Sequence, residues 1–99
     1  MTALSLRNAD KMIVLLSGKG KYSLDGKELD TVLESGRRLY LLLKKERYDE
    51  FSRSLSQLHY YVTANGKQVE ILRNADVIVP PLSCDPRIIG SIMGLQNTP

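Results

Sequence analysis

The chain has 99 residues, 42% of them hydrophobic and 25% charged, with a net charge of +3. That balance describes one globular domain and excludes a disordered acidic tail, a collagen-like fibre and a low-complexity linker. The longest apolar run, Met12–Leu16, is far short of the ~20 residues a spanning helix needs, and residues 1–11 lack the apolar stretch of a secretory signal. With no Trp and one Phe, the core falls to Leu, Ile, Val and the five Tyr. A core this small would gain from self-association, so a homo-oligomer is one expectation. The lone Cys84 cannot form an internal disulfide, which suits a reducing compartment and a cytoplasmic location.

Residues 1–11 are polar and without period, and read as a disordered extension. Met12 opens Met-Ile-Val-Leu-Leu and is a candidate start both of the folded unit and of translation. That run suits a strand buried on both faces. A short buried helix competes, but Ser17-Gly18 truncates it too early. Gly18-Lys19-Gly20 then permits a tight turn, and the Tyr22/Leu24 alternation makes a second strand and a hairpin. Asp25 and Glu28 have capping-box spacing for a helix carrying Leu29, Val32, Leu33, Tyr40 and Leu43. Gly36 sits in that stripe and would allow close approach of another helix. Leu39–Leu43 is apolar all round, so it is buried or offers a second face to a partner.

Lys44–Arg47 is a bend. Tyr48, Phe51, Leu55, Leu58 and Val62 form a second helical stripe, ended by Asn65-Gly66 as a left-handed stop. The two helices read as an antiparallel hairpin. Residues 69–72 and 77–79 are strand-like, and Pro80-Pro81 closes the second run. Ser83 or Asp85 caps a short helix with Pro86 in its first turn and Ile88, Ile89, Ile92 and Met93 on one face. Residues 95–99 read as a frayed tail. The fold expected is α+β: a small sheet from the N-terminal hairpin and the 69–72 and 77–79 strands, packed on a long helical hairpin.

Gly18-Lys19-Gly20-Lys21 lacks the spacing of a phosphate-binding loop or a dinucleotide fingerprint, so it reads as a structural turn. His59 has no His or Cys companion at metal-ligand spacing. Cys84 and His59 lie in different elements, nothing visible orients them, and no set of catalytic roles can be assembled. Neither an enzyme nor a cofactor is expected. Lys19, Lys21, Arg37, Arg38, Lys44, Lys45 and Arg47 could line a basic face for nucleic acid or an anionic lipid surface. The interleaved Glu34, Glu46, Asp49 and Glu50 favour a mixed-charge solvated face instead, and no nucleic-acid-reading motif is present. An exposed tyrosine of the Tyr60-Tyr61 pair beside Leu39, Tyr40, Leu41 and Leu42 would be a protein interface.

One ordered set of signals carries a resemblance. It comprises Met12-Ile13-Val14, Gly18-x-Gly20-x-Tyr22, Leu29-Asp30, Asp49-x-Phe51, Val62 with Asn65-Gly66, and Ala75-Asp76-x-Ile78-Val79-Pro80-Pro81 before a short helix. In this order the chain resembles the PspA-associated domain family over residues 12–94. The resemblance implies a non-enzymatic adaptor, acting by protein–protein contact within a PspA-type membrane-stress system whose main protein is an ESCRT-III-like coiled coil. The basic balance and lysine-rich turn add peripheral contact with an anionic membrane surface to these expectations.

Overall fold

The computed structural model describes residues 11–70 and 72–92; residues 1–10 of the expected extension, residue 71 and the tail lie outside the described residues. Lys11, expected to be disordered, is instead the first residue of the sheet because it pairs with Asp25. Strand β1 (Lys11–Leu16) and strand β2 (Gly20–Asp25) form the expected hairpin, in register from Lys11 opposite Asp25 to Leu16 opposite Gly20. The turn between them works because Gly18 and Gly20 take φ of 91° and 124°, which side-chain-bearing residues rarely adopt. Strand β3 (Lys67–Val69) adds antiparallel to β2, and strand β4 (Val77–Val79) adds parallel to β1. The sheet order is β3-β2-β1-β4, so β1 is interior, and it reads apolar from Met12 to Leu16 because both its faces are covered there.

Even-numbered residues of the hairpin face the helices. Val14, Leu16 and Leu24 are buried there with Val79, and Met12 and Tyr22 pack beside them. The connection from β3 to β4 crosses the other face. Lys21 Nζ donates to Arg73 O, and Asp76 clasps Ile13 twice, donating from its N–H at 2.8 Å and accepting at Oδ2 from the Ile13 N–H at 2.9 Å. The strand expected at 69–72 sits at 67–69 instead. Lys21 already pairs with Val69 and β2 begins at Gly20, so the ladder runs out there.

Helix α1 (Gly26–Lys44) and helix α2 (Tyr48–Asn65) form the hairpin that covers the sheet. Leu29, Val32, Leu39 and Leu43 of α1 meet Phe51, Leu55, Leu58 and Val62 of α2 and the even-numbered strand residues in one core. The capping box does not form. Asp25 is held extended at the end of the β1–β2 ladder, the chain enters α1 through Gly26 at φ 57°, and no side-chain cap bond is made. The bend between the helices is a Schellman turn: Arg47 N–H donates to Leu42 O and Glu46 N–H to Leu43 O, with Glu46 left-handed at φ 59°.

Gly66 corrects the expected left-handed stop. It is extended, at φ −86° and ψ 162°, and its need for glycine is steric. A Cβ there would lie 2.8 Å from Val62 O and 3.0 Å from Tyr22 Cβ, where the end of α2 drops onto β2. Gly36 also differs from expectation: a Cβ would meet nothing within 4 Å, so no helix approaches it. After Pro80-Pro81, Asp85 rather than Ser83 caps helix α3 (Pro86–Ile92), its Oδ1 accepting from Arg87 N–H at 3.0 Å. Pro86 holds the first position of that helix, and α3 packs against both α1 and α2.

Candidate functional site

The position of α3 leaves a half-open apolar groove of about 470 Å³ between α1, β4 and the Pro80-Pro81 segment. Its α1 wall is Gly36, Tyr40 and Leu43, which recur one and two turns apart and so share a side of the helix. Val32, Leu39, Phe51 and Leu58 form the floor, and Val77–Pro81 with Ile89 close the opposite side. Gly36 is why the wall recedes there, since it carries no side chain and nothing else fills the space. Tyr40 remains 39% exposed, and Leu82 and Ile88, on the segment that frames the groove, are 46% and 57% exposed. The groove is therefore continuous with exposed apolar surface, the combination that marks a binding surface. Lys44 sits 5.9 Å from the centre of the Tyr40 ring, and Arg87 of α3 sits 5.7 Å from that of Tyr48.

The six residues expected at a partner interface divide. Leu39 is buried in the core and Leu42 is half-buried against it, while Tyr40 and Leu41 are exposed. Tyr61 is half-buried and packed on the core. Tyr60 is 75% exposed, about 100° round α2 from Tyr61. Of the six, Leu39 and Tyr40 line the groove. Val77–Pro81 and Ile89, the side of the groove opposite α1, were not singled out for binding by sequence reasoning. Their only signal was a strand stopped by two prolines before a short apolar-faced helix.

The basic residues also divide. Lys19 is exposed at the hairpin turn, and Lys21 is bonded to Arg73 O. Arg37 and Lys44, seven residues apart, share one side of α1; Arg38 and Lys45 share a line about 100° further round. Arg37 pairs with Glu34 and Arg47 with Glu50, so these cations are interleaved with acids as the mixed-charge reading expects.

His59 is 1% exposed, and its Nε2 lies 2.8 Å from Pro80 O. It therefore ties α2 to the segment that borders the groove, with Nε2–H as donor. Its Nδ1 is buried without a hydrogen-bond partner among the described residues. Cys84 is half-buried; burial, and then the Asp85 carboxylate, push its thiol up from the ordinary range. Such a thiol stays protonated near neutrality, which opposes a nucleophilic role. Among the described residues, no cluster of three or more His, Cys, Asp or Glu could hold a metal ion, and no helix is long and apolar enough to cross a membrane. Compared with protein-family models, curated proteins and solved structures, the chain gives no match.

Proposed function

We propose that this domain is a non-enzymatic adaptor of a PspA-type envelope-stress system and that the groove between α1, β4 and α3 holds its partner. The observation that carries the reading is the groove itself, about 470 Å³ with an almost wholly apolar lining. An apolar channel walled by a helix and framed by exposed apolar side chains suits the apolar stripe of an amphipathic helix, which presents anchors at i, i+3, i+4 and i+7. A coiled-coil protein offers such helices. Lys44 and Arg87 add positive charge close by and favour a partner helix with acidic flanks. The resemblance in the order of sequence signals supplies the particular partner, a PspA-type coiled coil.

The test is retention of the PspA-type protein of the same organism by the purified domain, at low and moderate salt. Gly36→Leu places a side chain in the groove at a position where a Cβ meets nothing within 4 Å. It replaces a poor helix former with a good one, so the fold is retained. Retention at both salts, lost in Gly36→Leu and weakened in Tyr40→Ala, is the expected result. Retention untouched by both substitutions, or seen only at low salt, would overturn the assignment of the groove.

A further inference from the structure

A second recess lies between α1 and α2, on a different side of α1 from the groove, and holds about 170 Å³. Its α1 side is Thr31, Ser35 and Arg38, at i, i+4 and i+7; its α2 side includes Ser54, Gln57 and Tyr61, at i, i+3 and i+7. Two facing helices thus border one small space with residues that carry a guanidinium, four hydroxyls and a side-chain amide; Thr31, Arg38 and Gln57 are exposed, and Ser35, Ser54 and Tyr61 are half-buried. The lining contains no carboxylate. The neighbouring acids are engaged elsewhere, Glu34 with Arg37 and Glu50 with Arg47. Among the described residues, none of the six side chains has an internal hydrogen bond or ion pair.

We infer that this recess is a binding site for a phosphate group carried as a monoester or as the free ion. Arg38 supplies the charge and a two-pronged donor that matches two phosphate oxygens. Ser35, Ser54 and Gln57 come from two helices and can reach the remaining oxygens, which suits a tetrahedral anion better than a planar carboxylate. The recess holds about 170 Å³, room for one oxyanion, and that is the ligand class assigned to it. This assignment is independent of the adaptor reading, because it uses none of the groove residues except Leu58, which lines both spaces.

The test is an amide NMR titration of the full chain with sodium phosphate, at ionic strength held constant with chloride. The expected result is saturable shifts concentrated at Ser35, Arg38, Ser54 and Gln57. Arg38→Gln should weaken binding by about tenfold or more, the loss of a charge-assisted contact. Arg37→Gln should change it by less than about twofold, since that cation is already paired. Ser54→Ala with Gln57→Ala provides a second variant that leaves the charge in place, and should also weaken binding. Linear shifts that never saturate, or equal losses in Arg37→Gln and Arg38→Gln, would overturn the site.

Flotation with phosphatidylcholine vesicles containing either phosphatidic acid or phosphatidylglycerol distinguishes the sources. Arg38-dependent flotation on phosphatidic acid alone assigns the site to a monoester headgroup. Saturable phosphate binding without flotation assigns it to a small soluble phosphate. Neither response, or flotation on both lipids that survives Arg38→Gln without saturable phosphate binding, would refute it.

Discussion

Gly66→Ala tests whether the helical hairpin is seated on the sheet as described. The added methyl would meet Val62 O at 2.8 Å, Tyr22 Cβ at 3.0 Å and Leu24 Cδ1 at 3.3 Å. Ordinary contacts of this kind lie beyond about 3.4 Å, so the end of α2 must lift from β2 by several tenths of an ångström. Neither close neighbour can yield cheaply, because one is a backbone carbonyl and the other a Cβ in a paired strand. The displacement also strains the 2.7 Å bond from Gly66 N–H to Val62 O, which closes the last turn of α2. Overpacking costs about 1–3 kcal/mol and a weakened hydrogen bond up to ~1 kcal/mol, so a loss of about 2–3 kcal/mol is expected. For a domain of this size that lowers Tm by roughly 8–24 °C. Gly36→Ala is the internal control. Gly36 is exposed within α1 with no atom near its Cβ position, so alanine should stabilise by about 0.5–1 kcal/mol through helix propensity. Thermal unfolding followed by circular dichroism reads both. Equal Tm values for Gly66→Ala and the parent would refute the close approach of α2 to β2, and destabilisation by Gly36→Ala would refute an open groove wall.

Glu46 occupies a left-handed position in the Schellman turn, where L residues are strained by about 1–2 kcal/mol. Glycine removes that strain but carries its own entropy cost, so Glu46→Gly should gain about 0.5–1 kcal/mol net, measured as a raised urea midpoint at unchanged slope. His59→Ala removes the donor to Pro80 O and opens a core cavity, for a cost of about 3 kcal/mol, whereas His59→Gln offers an N–H donor and should lose about half as much. Equal losses in the two variants would show that the bond to Pro80 O contributes nothing. Cys84 should react with iodoacetamide more slowly than a free peptide thiol at pH 8, with a rate that climbs as the pH passes the ordinary thiol range. The raised folded-state value also sets a sign for stability. The neutral thiol favours the fold below the unfolded-state value, and that contribution is lost as pH rises through the folded one. Rapid alkylation at neutral pH would restore Cys84 as a nucleophile candidate.

Much of the architecture was legible because short-range chemistry writes it into the chain. Met12–Leu16 is apolar at every position because β1 is interior to the sheet. The stripe from Tyr48 to Val62 marks the face of α2 that meets the core. Two prolines end β4, and the Asp85-Pro86 pair starts α3 wherever these elements pack. Such signals act within a few residues, so no knowledge of neighbours is needed to read them.

The candidate sites were less legible, because each depends on what stands opposite a face. Leu39–Leu42 is one unbroken apolar run, yet Leu39 is core and Leu41 is surface, a division decided by the sheet on one side of α1 and solvent on the other. Gly36 looked like a helix-packing notch, and only the placement of β4 and α3 leaves it facing an open groove. Asp25 has the spacing of a capping box, but the strand ladder and Gly26 hold the chain where no side-chain cap bond forms. Arg37 and Arg38 are adjacent in sequence and are separated by the pitch of the helix, one paired with Glu34 and the other over a recess of hydroxyls from two helices. By itself the sequence determined the hairpin, the two long helices, β4 and the short last helix, since periodicity and local sterics suffice for those, whereas the bounds of β3 were set by its pairing with β2. The strand order, the parallel docking of β4 and the two concave surfaces arose only in the tertiary structure. They require residues far apart in the chain to meet, and periodicity carries no information about what covers a face.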